Sequence, residues 1–198
     1  MDFADVLRAR RMVRSYRPDP VPEDVLARIV QVVHRAPSAG FSQGHRLIVV
    51  TDPALRGKIA EVSEPPYLES GMKPWISVAP VLVAIGVREA SYHERYQQPD
   101  KVTDEGEEGV WPVPFWWFDS GSLLVMLQLA AANEGLATGF FGPHADGLEE
   151  LIGLPEDVGL AGFLTLGYSD DNARGVAGSL THRPKRIPLE DLVTWRRG

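Results

Sequence analysis

Three arginines near the beginning of the sequence are placed to bind an anion. Arg10, Arg11 and Arg14 lie in one short segment, directly after an amphipathic stretch. If a helix continues through them, Arg10 and Arg14 project from the same face and repel each other. A bound phosphate dianion removes this repulsion and accepts charge-assisted, often bidentate hydrogen bonds. The segment therefore indicates a phosphate site, and a solvated basic turn is the alternative interpretation.

A second polar segment, residues 36–43, reads Ala-Pro-Ser-Ala-Gly-Phe-Ser-Gln. Gly40 permits a close approach of the backbone to a ligand. The side chains of Ser38, Ser42 and Gln43 offer donors and acceptors that suit the edge of a flat heterocycle. An ordinary connection between a helix and a strand is the alternative. Together with the arginines, this segment favours a site for a phosphorylated cofactor with a flat ring.

Composition excludes several classes of protein. The 198 residues include 20 Lys and Arg against 27 Asp and Glu, and the net charge of −7 argues against nucleic acids and anionic membranes as partners. The absence of cysteine removes disulfides, thiolate metal sites and cysteine nucleophiles. The acidic N-terminus does not resemble a signal peptide, and the longest apolar run, 123–132, is too short to span a membrane. We therefore expect a cytoplasmic protein.

Several motifs of other enzyme classes are missing from the sequence. It lacks the G-x-G-x-x-G of a built-in dinucleotide-binding unit. Residues 40–44 have the spacing G-x-S-x-G, but they lie between a predicted helix and a predicted strand, whereas a nucleophile elbow joins a strand to a following helix. Its five histidines show no metal-ligand spacing. We therefore expect neither a bound metal nor serine hydrolase chemistry.

Alternating helical and strand patterns must position the two polar segments. The hydrophobic periods predict helices over 2–10, 22–36, 53–62 and 146–152, and strands over 47–50, 81–85, 137–141 and 160–166. Such alternation predicts a layered α+β or α/β fold, and the length suits a single domain over residues 1–198.

Three further segments bear on assembly and access. Residues 88–117 lack a clear period and combine an acidic stretch with one rich in proline and aromatic residues, which predicts a lid or insertion. Residues 119–122 are expected to cap the next helix, whose run 123–132 is apolar on nearly every face and must be buried on all sides. A second subunit would complete that burial, and the arm 181–198 is expected to pack on it.

In this order, the motifs resemble those of the flavin-dependent nitroreductase superfamily. The resemblance covers nearly the whole chain and rests on Arg10-Arg11-x-x-Arg14, on residues 36–43, and on 129–136, Gly142, 151–155, 166–168 and 185–190. It implies an α+β fold in which helices flank a central, mostly antiparallel sheet. It also implies an intertwined homodimer with two FMN sites at the subunit interface.

The same resemblance assigns residues to the FMN site. The phosphate would be held by Arg10, Arg11 and Arg14, with Lys185 and Arg186 from the other end of the chain. The turn of the partner subunit would meet the flavin ring through Pro37, Ser38, Ala39, Gly40, Ser42 and Gln43. The strand ending at Phe141 would place the backbone N–H of Gly142 near flavin N5, where a donor stabilises arriving electron density.

The resemblance also implies the reaction. FMN would carry electrons from NAD(P)H to a nitroaromatic, a quinone or a similar flat acceptor in a ping-pong mechanism. The aromatic residues Phe115, Trp116 and Trp117 favour an apolar acceptor stacked over the flavin. Flavin cleavage, dehalogenation or dehydrogenation on the same scaffold is an alternative, as is binding of flavin or deazaflavin without turnover. Met12 and Phe41 depart from the common family pattern of a small hydroxyl residue and an asparagine.

Overall fold

One antiparallel sheet organises the chain. The computed structural model describes residues 1–170 and 185–196. Within these ranges four strands pair in the order β1 (His45–Val50), β2 (Val81–Val87), β4 (Gly159–Gly167) and β3 (Ala137–Phe141), and every neighbouring pair is antiparallel. The predicted α+β class with a central antiparallel sheet is thereby confirmed.

Helices cover the two faces of this sheet. They are α1 (Phe3–Ala9), α2 (Glu23–Val30), α3 (Pro53–Ser63), α4 (Pro65–Glu69), α5 (Ala90–Tyr96), α6 (Phe115–Asn133), α7 (Leu148–Ile152) and α8 (Leu189–Leu192), with 3₁₀ turns at Gln31–Arg35 and Ala39–Phe41. The side chains of Asp2 and Asp52 cap α1 and α3 by accepting backbone N–H groups at 2.9 and 2.7 Å. None of the helices among the described residues is both long and apolar enough to cross a lipid bilayer.

The sheet separates two hydrophobic clusters. Because side chains alternate along a strand, Leu82 and Ala84 of β2 join the cluster that contains Ile59 of α3. Val83 and Ile85 point the other way and pack with Leu127 of α6 and its neighbours. A strand buried on both faces needs a continuous apolar run, which explains the uninterrupted sequence of β2.

Apolar surface remains uncovered in the single chain. Helix α6 buries Leu123 and Leu127, but Val125 on its other side is 47% exposed. The apolar side chains of the C-terminal segment are also exposed, namely Ile187, Leu189, Leu192, Val193 and Trp195. The expected burial of α6 on all sides is therefore not achieved within one copy of the chain.

The structure corrects two predictions around residues 88–122. Residues 88–117 are not without regular structure, because α5 lies inside this range and α6 begins at Phe115. The apolar pair Tyr92 and Tyr96, four residues apart, is the helical signal for α5. Residues 119–122 do not cap α6, since they lie inside it, and the Asp119 side chain is buried.

Candidate functional site

The arginine segment runs beside the edge strand β3. Helix α1 ends at Ala9, so it does not continue through the segment and Arg10 and Arg14 do not share a helical face. Met12 instead pairs with Thr138 in a parallel bridge, and the Val13 N–H donates to the Thr138 carbonyl at 2.7 Å. The pairing removes the segment from helical geometry because its backbone groups bond to the sheet rather than to one another.

Arg10 and Arg11 line a cavity at this edge. Its volume is about 250 Å³, and Gln128 of α6 and Thr138 of β3 also contribute to its wall. Two guanidinium groups beside one cavity favour an anionic occupant. The structure therefore brings together two of the five residues predicted to bind the phosphate, Arg10 and Arg11.

Arg14 lies on the indole ring of Trp75. Its guanidinium carbon is 5.2 Å from the ring centroid, and its buried Nε has no hydrogen-bond partner in the part of the chain that the structure describes. A buried donor without a partner is costly, so a ligand atom that accepts from it would be stabilising. Sequence reasoning missed Trp75, which no spacing rule connects to Arg14.

Trp75 is fixed by Glu64, which comes directly after α3. The buried Glu64 carboxylate accepts the backbone N–H groups of Trp75, Ile76 and Ser77 at 2.6, 2.6 and 3.2 Å. Three charge-assisted hydrogen bonds to one oxygen hold this loop firmly. They fix the ring on which Arg14 rests.

Tyr16 secures the arginine segment to the sheet. Burial raises the pKa of its hydroxyl, which therefore stays protonated and donates to the Val13 carbonyl at 2.9 Å. The same oxygen lies 2.6 Å from Thr165 Oγ1 of β4. The position of Arg14 is thus set by Val13, directly before it, and by Tyr16, two residues after it.

The turn after Pro37 has an unusual backbone. Gly40, Phe41 and Gln43 all have positive φ, at 60°, 62° and 52°. For a residue other than glycine the left-handed region costs about 1–2 kcal/mol, and such strain concentrates at functional sites. Within the turn, Ser38 Oγ accepts the Gln43 N–H at 3.0 Å, and the Ser42 hydroxyl donates to the Ala39 carbonyl at 2.6 Å.

The end of β3 presents an open backbone donor. The Thr138 carbonyl points away from β4 to Val13, and by alternation the N–H of Gly142 points the same way. It makes no hydrogen bond to any residue that the structure describes. Phe141 before it is buried, with its ring stacked on Phe163 at 4.9 Å. Phe141 therefore anchors the strand end beside the Gly142 N–H.

The predicted aromatic wall divides between two places. Phe115 and Trp116 lie in the first turn of α6, where the Trp116 ring packs 6.1 Å from Tyr92 and 5.6 Å from His93. Trp117 instead contacts the strand start at Gly159 and lines a separate apolar cavity of about 320 Å³. None of the three lines the cavity beside Arg10.

The basic residues before α8 are exposed. Lys185 and Arg186 make no hydrogen bond or ion pair with the residues that the structure describes. They do not line the arginine cavity of the single chain. Residues 181–184 and 197–198 of the predicted arm lie outside the described residues.

Comparisons with known proteins bear on the whole chain. The profile of the nitroreductase family matches residues 7–168. An NADH dehydrogenase of Thermus thermophilus is 28% identical over an alignment of 209 positions, which covers 99% of this chain and 97% of that protein. An NAD(P)H-dependent FMN reductase of Bacillus subtilis is 29% identical over 173 residues, which cover 84% of this chain and 66% of that protein. The structure of an Exiguobacterium sibiricum protein in complex with FMN superposes with a TM-score of 0.74 at 18% identity, and covers 99% of this chain and 98% of that one.

Proposed function

This chain belongs to the nitroreductase family, and we propose on that basis that it is an FMN-dependent oxidoreductase. It takes electrons from NAD(P)H and passes them to a flat acceptor such as a nitroaromatic or a quinone. The names of the relatives from Thermus thermophilus and Bacillus subtilis support the cofactor and the donor.

One structural observation carries this proposal. The arginine segment is hydrogen-bonded alongside β3, so the anion-binding cavity and the donor at Gly142 lie along the same edge. At about 3.3 Å per residue, the chain advances roughly 13 Å over the four residues from Thr138 to Gly142. A ligand with a phosphate at one end and a flat ring at the other suits that separation. The buried, unpartnered Nε of Arg14 adds a further donor toward such a ligand.

Each part of the site then has a chemical role. When bound, FMN supplies the two-electron chemistry. Arg10, Arg11 and Arg14 neutralise and orient the phosphate, with Lys185 and Arg186 completing the set. The Gly142 N–H donates toward flavin N5 and stabilises the electron density that arrives there. No side-chain acid or base is assigned.

The turn acts on the flavin of the partner subunit. Pro37, Ser38, Ala39, Gly40, Ser42 and Gln43 present backbone and side-chain groups to the edge of its ring. The homodimer that this arrangement needs is supported by the exposed apolar side of α6 and the exposed apolar residues after Arg186. Large uncovered apolar surface is typical of a face that another chain covers.

NAD(P)H and the electron acceptor bind in turn at the same open face of the flavin, which predicts ping-pong kinetics. Initial rates under anaerobic conditions should give parallel double-reciprocal lines, and intersecting lines would contradict a shared site. Phe115, Trp116 and Trp117 favour an aromatic acceptor. Alanine at Trp116 or Trp117 should alter acceptor preference more than flavin content.

The visible spectrum of the purified protein tests the proposal most directly. An oxidised-flavin band and a released chromophore with the mass of FMN are expected. Replacing both Arg10 and Arg14 with alanine should yield largely apo protein. Arg28→Ala is the control, because Arg28 pairs with Asp24 and Glu134 on the surface and should leave flavin content unchanged. Product analysis by mass spectrometry separates simple reduction from flavin cleavage or dehalogenation.

A further inference from the structure

The strained turn is not held by its own residues alone. Within the turn, the side chains of Ser38 and Ser42 bond to Gln43 and Ala39, and the N–H groups of Phe41 and Ser42 donate to the Ser38 and Ala39 carbonyls at 2.9 and 3.1 Å. These local bonds leave Phe41 with a positive φ, and its ring is 70% exposed and gains little from packing. Strained backbone persists only where surrounding structure enforces it. The enforcing contacts come from α5 and α6.

The first contact is a buried carboxylate in the second turn of α6. Asp119 of α6 is only 5% exposed, and its Oδ2 accepts the Ala39 N–H and the Tyr92 hydroxyl, both at 2.9 Å. Burial and the neighbouring Asp119 carboxylate raise the pKa of Tyr92, so its hydroxyl remains a donor. Burying a carboxylate is expensive unless it accepts hydrogen bonds. Asp119 accepts two, and the one from the Ala39 N–H fixes the turn.

The second contact comes from the side of α5. The Arg95 Nε–H donates to the Gly40 carbonyl at 2.9 Å, while the two terminal nitrogens bind the Asp100 carboxylate at 2.8 and 2.7 Å. The ring of Tyr96 lies 2.5 Å from the position that a β-carbon on Gly40 would occupy. The turn is thus clamped at residues 39 and 40 by three neighbouring side chains.

We infer that Asp119 and Arg95 are positioning residues, which hold residues 38–43 in the conformation that contacts the cofactor. This inference rests on the proposed function for its functional consequence. The range 88–117, expected as a lid, thereby contributes a fixed support for the turn through α5.

Amide hydrogen exchange of the flavin-free protein tests whether the two side chains hold the turn. Asp119→Ala should accelerate exchange in the peptide that contains residues 38–43, and Asp119→Asn should restore part of the protection, since the amide oxygen still accepts. Loss of a hydrogen bond to a buried charged group predicts about a tenfold weaker FMN affinity for Asp119→Ala, measured by quenching of flavin fluorescence.

A matched pair of variants, one at Arg95 and one at its ion-pair partner Asp100, keeps the test valid if Asp119→Ala does not fold. Arg95→Lys retains the charge beside Asp100 but loses the Nε–H to Gly40. Asp100→Asn breaks the ion pair but keeps that N–H. We expect faster exchange of the turn and weaker FMN binding in Arg95→Lys, with a smaller change in Asp100→Asn.

The outcomes separate this inference from the proposed function. Unchanged exchange of residues 38–43 in Asp119→Ala and Arg95→Lys would overturn it, whatever the wild-type protein binds. Faster exchange with unchanged FMN affinity would also overturn it, because the support would then have no effect on the ligand. Absence of FMN binding in the wild type would instead contradict the proposed function.

Discussion

The imidazole ring of His144 covers Gly142. A β-carbon at residue 142 would lie 2.9 Å from both Cε1 and Nε2 of that ring. The backbone N–H of His144 also donates to the Gly142 carbonyl at 3.0 Å, which closes a tight turn around Pro143. Residue 142 must therefore stay glycine while His144 keeps this position.

Gly142→Ala should reduce bound flavin and slow its reduction by NAD(P)H. The added methyl group meets the ring of His144, which is exposed, so either that ring or the backbone donor proposed to face N5 must move. Absorbance of the flavin per mole of protein and stopped-flow reduction measure the two effects. The double variant Gly142→Ala with His144→Gly should recover flavin content; failure to recover would show that steric conflict is not the cause.

Gly57 and Gly121 form a matched pair for testing the homodimer. Both lie inside helices, α3 and α6, and nothing in the single chain lies within 4 Å of an added β-carbon. Gly57→Ala should raise the free energy of unfolding by about 0.5–1 kcal/mol. Gly121→Ala should instead weaken association if the partner covers α6. Sedimentation measures association, and urea unfolding measures the free energy of unfolding. If both variants were stabilised equally and neither dissociated, an interface at Gly121 would be contradicted.

Phe41→Asn should stabilise the protein. Asparagine enters the left-handed region more readily than phenylalanine, so the change should raise the free energy of unfolding by about 1 kcal/mol. Phe118→Asn is the control: Phe118 is exposed to a similar degree, 69%, but lies in α6 with helical backbone. Thermal unfolding distinguishes the two, and a similar shift in both would show that exposure rather than strain decides the effect.

His93 should make stability depend on pH. Its hydrogen bond to Glu108 at 2.7 Å, with a weaker contact to Glu89, raises the pKa of His93 above its usual value near 6.5. The stabilisation is therefore complete below about pH 6.5 and is lost as the pH rises through the raised pKa. As a surface pair it contributes up to ~1 kcal/mol.

Urea unfolding of the wild type and of His93→Gln checks this expectation between about pH 5 and pH 9, the range in which a histidine titrates. The difference between the two proteins in free energy of unfolding should become smaller as the pH rises. Glu108→Gln should remove the same pH-dependent stabilisation. Glu89→Gln should have a smaller effect, because the Glu89 carboxylate lies 3.4 Å from His93 Nε2 in the wild type. A constant difference across the range would contradict the assignment.

The sequence predicted the four strands and several helices, but not α5, the start of α6 or the supports of the site. The periodic runs predicted β2 and α3 within two residues, because each has a simple apolar pattern. The apolar pattern did not reveal where α6 begins, since Phe115, Trp116 and Trp117 pack through aromatic contacts that have no fixed period. The cofactor residues remain predictions from resemblance.

The contacts that hold the site connect residues far apart in the chain. Asp119 meets Ala39, and Glu64 meets Trp75, through carboxylate-to-backbone hydrogen bonds. Any carboxylate can accept from any backbone N–H, so the partner cannot be chosen from residue types. Only the folded topology selects it.

The hydrogen bonds of Glu64 have a practical consequence for reading genetic variation in this chain. If the arginines hold the FMN phosphate as proposed, a screen that scores only flavin colour would not distinguish a change at Glu64 from one at Arg14, although the two residues lie fifty positions apart in the sequence. The platform beneath the guanidinium, rather than the guanidinium itself, would have been lost.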